Sequence, residues 1–153
     1  MGPLLGEKPL RLRYRVMALG PPQVGVDINV RRDVVGQQLL RVDEGARAVL
    51  LHDGRLSDLG TLGGSFSTAR GINNGGLIVG GSLTANDECH HGFIYAGGRM
   101  CDLNSLLVGT ETWEVLDAYG INDHNDIVAL ASSQTGDQTV LLVAITSVSE
   151  GDA

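Results

Sequence analysis

Aromatic side chains are scarce in this chain, at 4% of residues, with one Trp, three Tyr and two Phe. Any core must therefore be packed from Val, Leu, Ile and Ala. The 42% hydrophobic content supplies enough of these to exclude a disordered chain. Cysteine is nearly absent, with only Cys89 and Cys101, so a disulfide framework is not what holds the fold. Positive charge is in deficit: 11 Lys and Arg stand against 18 Asp and Glu, for a net charge of −7. That balance argues against nucleic acid and anionic membranes as partners, since both require a basic patch. Long hydrophobic runs are missing too. The longest aliphatic stretch, residues 140–145, is far too short to span a bilayer.

Targeting signals are likewise wanting. The first ten residues hold no apolar signal-peptide segment. Gly6 occupies the position where myristoylation needs Ser or Thr, and no N-x-[ST] sequon occurs. The expected compartment is the cytoplasm, or the extracellular space if a leader has been removed. No G-x-S-x-G, Walker A or dinucleotide fingerprint is present, so no cofactor is expected.

What the chain does have is repetition. Ile28-Asn29 recurs as Ile72-Asn73 and as Ile121-Asn122, in steps of 44 and 49 residues. At the 44-residue offset Val35-Gly36 answers Val79-Gly80, Gly54-Arg55 answers Gly98-Arg99, and Asp58-Leu59 answers Asp102-Leu103. A period of about 40–50 residues is the mark of a stacked or circular array. Within the second repeat, short segments at 67–73, 77–83, 91–95 and 99–103 are bounded by Gly, Asn or Asp. They show no helical period and read as four antiparallel strands. The 22 glycines suit the many tight turns this needs. The fold class is therefore all-β, a β-propeller-type repeat with four strands per blade.

The blades fall at about residues 25–60, 67–105 and 116–146, inside a repeat domain of 13–146 flanked by tails at 1–12 and 147–153. The third blade lacks a fourth strand, and residues 14–20 resemble the fourth strands of the others. Three blades are too few for a ring, and two copies give six. The expectation is a homodimer of half-propellers, with strand 14–20 completing a last blade and removing an exposed edge. The alternative is an open three-sheet array within a longer protein.

Asp58-Leu59-Gly60-Thr61-Leu62-Gly63-Gly64, Gly71-Ile72-Asn73 and His91-Gly92-Phe93 resemble the motifs of the HAF-repeat family of bacterial proteins. The resemblance covers about residues 13–146 and is closest in the middle repeat. It implies repeat architecture and a bacterial source, and its members are described as extracellular proteins with many tandem copies. This chain departs in having three. No general activity comes with the family.

Asn29, Asn73 and Asn122, with Asp58 and Asp102, obey the repeat and are expected to tie turns through backbone hydrogen bonds. Pairing Tyr95 with Arg99 in the 91–103 hairpin keeps Cys89 and Cys101 apart, so both are expected as free thiols. Adjacent strand residues point to opposite faces, so His90 and His91 do not converge and no metal site is expected. Asp123-His124-Asn125-Asp126 reads as a turn, since it lacks EF-hand spacing.

Positions that break the repeat are the better functional candidates, because loops carry function on a packed scaffold. A five-residue insertion within 108–114 brings in Trp113 beside Glu114, with Tyr119 following. Trp113, Tyr119 and Phe66 are expected to form an apolar or sugar-stacking floor, with Arg70 and Arg47 holding an anionic group. Asp87, Glu88 and His90 form the densest ionisable cluster and supply general acid and base if the protein is an enzyme. The leading reading is a module binding a small molecule or sugar-like ligand at the channel mouth. The alternatives are a small cyclase, isomerase or hydrolase, and a protein–protein assembly module. The expected partners are a second copy and a small molecule.

Overall fold

A computed structural model of the protein describes residues 11–20, 23–109 and 111–145. In chain order the first sheet is β1 (Gln23–Ile28), β2 (Val34–Leu39), β3 (Ala46–His52) and β4 (Arg55–Asp58). The second is β5 (Gly63–Ile72), β6 (Ile78–Thr84), β7 (His90–Ala96) and β8 (Arg99–Asp102). The third is β9 (Glu114–Ile121), β10 (Ile127–Ser133) and β11 (Gly136–Leu142). Pairing is antiparallel between successive strands, so the sheets hold four, four and three strands. Each sheet begins a few residues before the expected blade. Among the described residues the only helical elements are 3-10 turns at Ala85–Asp87 and Leu103–Leu106, and no helix is long and apolar enough to cross a membrane.

Alternation along each strand sends neighbouring side chains to opposite faces, and the sheets stack on both. Ile78 and Val79 are consecutive on β6. Ile78 packs with Val35, Ala48, Leu59, Ala69, Ile72 and Phe93, between the first and second sheets. Val79 packs with Leu103, Val115, Ala118, Ile127, Ala129 and Ala131, between the second and third. Phe93 is the largest fully buried side chain, and its burial contributes on the order of 2–3 kcal/mol. Small residues line the inner strands where neighbouring strands approach closely. A Cβ on Gly80 would sit 2.0 Å from the Thr68 carbonyl oxygen.

The β7–β8 hairpin corrects one expected register. Ala96, not Tyr95, pairs with Arg99, and Ile94 faces Cys101. Gly97 and Gly98 both have positive φ, 59° and 80°, and form a two-residue turn. That conformation matches the strand twist and is open mainly to glycine, so the tighter loop wins. The consequence drawn from the register still holds, and Cys89 and Cys101 are free.

Residues 11–20 form no strand. Within a single chain the expected fourth strand of the last sheet is therefore not supplied by this segment. Leu19 and Gly20 lie against the outer face of the first sheet, at the opposite end of the stack from β11. Of the two expected tails, 147–153 and all but the last two residues of 1–12 lie outside the described residues.

Candidate functional site

The three recurring asparagines build matching turns, each accepting from the amide four residues on. Asn29 accepts from the Arg31 and Asp33 amides, and Asn73 from Leu77. Asn122 accepts from His124 and Asp126, which makes 123–126 a turn, as expected. Asp58 and Asp102 also behave as expected, accepting from the backbone amides of Gly60 and Asn104. These residues make the scaffold.

Two members of the expected acid–base trio, Asp87 and His90, are engaged by other partners. Asp87 sits in left-handed backbone, at φ 54°, in the loop before β7. Its carboxylate accepts from the Ser65 hydroxyl and amide, both at 2.7 Å. Those two bonds, the hydroxyl's first, hold its pKa below the usual 3.8, which makes it a poor proton acceptor near neutrality. His90 turns to the Leu116 carbonyl, 2.7 Å away, and lies 6.1 Å from the Phe66 ring. Glu88 is exposed on the loop between them.

The expected ligand-binding residues do not gather in one place. Arg70 donates to Asp117 in a fork, Nε at 3.1 Å and Nη2 at 3.0 Å, with its guanidinium 5.4 Å from the Tyr119 ring. Its charge is thereby matched by an internal partner. Arg47 donates to the Ser65 carbonyl at 2.7 Å, joining β3 to β5. Glu114 lies beside His91. Trp113 opens on another side. It packs against the second core cluster and donates from Nε1 to Glu111 at 2.8 Å. Its open side lines a groove of ≈ 380 Å³ with Glu111, Thr112, Ser133, Gln134, Thr135 and Gln138. The inserted segment and the β10–β11 turn form the two walls.

One cluster was not anticipated. His91 Nδ1 lies 2.7 Å from Asp102 and its Nε2 lies 3.0 Å from Glu114. Burial works against the charged imidazolium, but the hydrogen bonds and charges of the two carboxylates outweigh it and raise the pKa above 6.5. Cys89 shares this face, and the ligand-type atoms of Cys89, His91 and Glu114 lie within 4.8 Å of one another. The expected divergence of His90 and His91 is what the structure shows. The overlooked signal was the Cys-x-His spacing, because positions i and i+2 on an extended chain face the same way.

Compared with protein-family models, with curated proteins and with solved structures, the chain matches none.

Proposed function

We propose that the protein is a binding module whose ligand is hydroxyl-rich and sugar-like, received in the groove of Trp113. The composition of that groove carries the reading. It offers one indole surface, two amide side chains, three hydroxyls and one carboxylate. Such a set stacks on an apolar sugar face and hydrogen-bonds ring hydroxyls, and the volume is in the range of small-molecule sites. Arg70 is engaged by Asp117, and Glu111 adds negative charge at the groove, so the preferred ligand is neutral rather than anionic. Asp87 and His90 are each engaged by another partner, Ser65 and Leu116, so the binding reading is preferred to the enzymatic one. The test is a glycan-array screen followed by titration of Trp113 fluorescence. A neutral saccharide should quench or shift the emission, and Trp113→Ala should abolish binding without changing the circular dichroism. A full set of neutral glycans giving no fluorescence response, or binding that survives Trp113→Ala, would overturn the assignment.

A second observation favours closure of two copies into a six-bladed propeller, the architecture in which this groove lies at the mouth of a ring. Two positions that are buried between sheets inside the chain have exposed counterparts at its ends. Val35 and Val79 are 1% and 0% exposed, while their counterpart Val128 is 40% exposed. Ile72 is 5% exposed, and its counterpart Ile28 is 58%. Val24, Leu51 and Leu56 add to the apolar surface at the first end, Leu141 and Val143 at the last. Head-to-tail pairing of two copies packs one end on the other as the second sheet packs on the third. β11 is an edge strand, and the partner's segment 14–20, whose sequence resembles the fourth strands, would cover it.

A further inference from the structure

We propose that Cys89, His91 and Glu114 form a three-ligand site for a zinc ion at the junction of the second and third sheets. The proposal goes beyond the binding reading and does not depend on it.

The donor set suits this metal. Thiolate, imidazole and carboxylate are all zinc ligands, and three protein ligands leave a fourth position for water or an external oxygen donor. The distances suit it as well. Tetrahedral zinc, with bonds of about 2.0–2.3 Å, holds its ligand atoms roughly 3.3–3.8 Å apart. Here all three lie within 4.8 Å of one another. Cys89 and Glu114 are exposed, Glu114 already reaches His91, and His91 is part-buried and held by Asp102.

The surroundings of His91 are those of an oriented ligand. Asp102 Oδ2 takes Nδ1 at 2.7 Å, which directs Nε2 toward Glu114 and Cys89. Asp102 is itself held, with Oδ1 accepting from the Asn104 amide and side chain, each at 2.9 Å. Asn104 then bonds Val115 in both directions, at 3.0 and 2.7 Å, and so locks the strand that delivers Glu114. A carboxylate behind a metal-bound histidine is the usual outer shell of such sites. The backbone of Cys89 is fastened too, by Thr84, through bonds of 2.8 and 3.1 Å.

Packing alone does not require these residues. At the matching junction between the first and second sheets, the positions of Cys89, His91 and Glu114 are taken by Gly45, Arg47 and Ser65. There Arg47 bonds the Ser65 carbonyl across the gap. The same structural task is thus done once without any metal ligand and once with three.

The experiment is titration of untagged, chelator-treated protein with Co²⁺, followed by competition with Zn²⁺. One Co²⁺ per chain should bind, with a near-ultraviolet thiolate charge-transfer band and the intense visible bands of four-coordinate cobalt. Zn²⁺ should erase both. Cys89→Ser should remove the charge-transfer band, and Cys101→Ser should leave it unchanged. Asp102→Asn should weaken Zn²⁺ binding about 10–100-fold with all three ligands intact. Absence of a stoichiometric site, or Co²⁺ binding that is unaffected by Cys89→Ser, would overturn the proposal. The cluster would then be an imidazolium clamped between two carboxylates. Cys89 is exposed, so Cys89→Ser spares the core and keeps the test decisive even if Asp102→Asn does not fold.

Discussion

The side-chain amide of Asn29 donates to the main-chain carbonyl of Asn73 at 3.1 Å, 44 residues further on. Asn73 does the same to Asn122 at 3.0 Å, 49 residues further on. Both separations are the repeat steps themselves. Each asparagine therefore builds its own turn and fastens it to the next sheet. A second row runs alongside, from the Val30 amide to Asn74 and from the Asn74 amide to Asp123.

Asn73 is central to this ladder, and it is buried. Asn73→Ala removes donors to Asn122 and Asn125 and an acceptor for the Leu77 amide. The expected cost is about 2–3 kcal/mol, since partners are left unsatisfied in a partly dry site. Asn74→Ala removes exposed bonds and should cost under about 1 kcal/mol. Urea denaturation of the two variants checks the ranking, and equal effects would show that burial does not govern the ladder.

Gly80 should tolerate no side chain. In Gly80→Ala the new methyl meets the Thr68 carbonyl oxygen at 2.0 Å and the Ala69 Cα at 2.9 Å, both backbone. Strands β5 and β6 would have to separate, at a cost of about 3 kcal/mol or more. Gly75→Ala, whose nearest contact is Asn73 Oδ1 at 3.4 Å, is the control and should be close to neutral. Thermal melts of both variants provide the comparison.

His52 should make stability depend on pH. Its bond to Asp33, then the charge of Asp53, raises its pKa above 6.5 in the folded protein. A raised folded pKa means that the stabilisation is fully present below the unfolded value and is lost as pH rises through the folded one. Asp33 stays ionised over this range, because the bonds from His52, Asn29 and Arg31 outweigh its burial and keep its pKa below 3.8. The stability difference between wild type and His52→Gln should thus be largest near about pH 5.5 and shrink toward about pH 9. A difference that does not vary with pH would mean that the His52–Asp33 pair does not persist in solution.

Ring closure makes a prediction about mass. Light scattering should give twice the chain's 16.1 kDa at micromolar concentration. Ile28→Asp at one end, or Leu141→Asp at the other, should yield a folded species of single-chain mass. Both sites are exposed in the single chain, so the substitutions spare its own core. A monomeric wild type, or dimers unaffected by both changes, would rule out head-to-tail closure.

The period, the strands, the turn asparagines and the free thiols were legible in the residues, because each depends on local spacing. Alternation set the strands, Gly and Asn placed the turns, and the 44-residue match showed which positions pack alike. Function was less legible, because it depends on which distant residues meet. Asp87, Glu88 and His90 are neighbours in the chain, yet Asp87 binds Ser65 and His90 turns to Leu116. Arg70 read as free for a ligand until Asp117, 47 residues away, proved to hold it. His91 read as a repeat residue until stacking of the third sheet on the second put Glu114 against it. By itself the sequence determined an all-β array of three units and the turns that define them. The tertiary structure alone decided which charges are paired and which aromatic opens to a groove, because face-to-face stacking brings together residues that share no local signal.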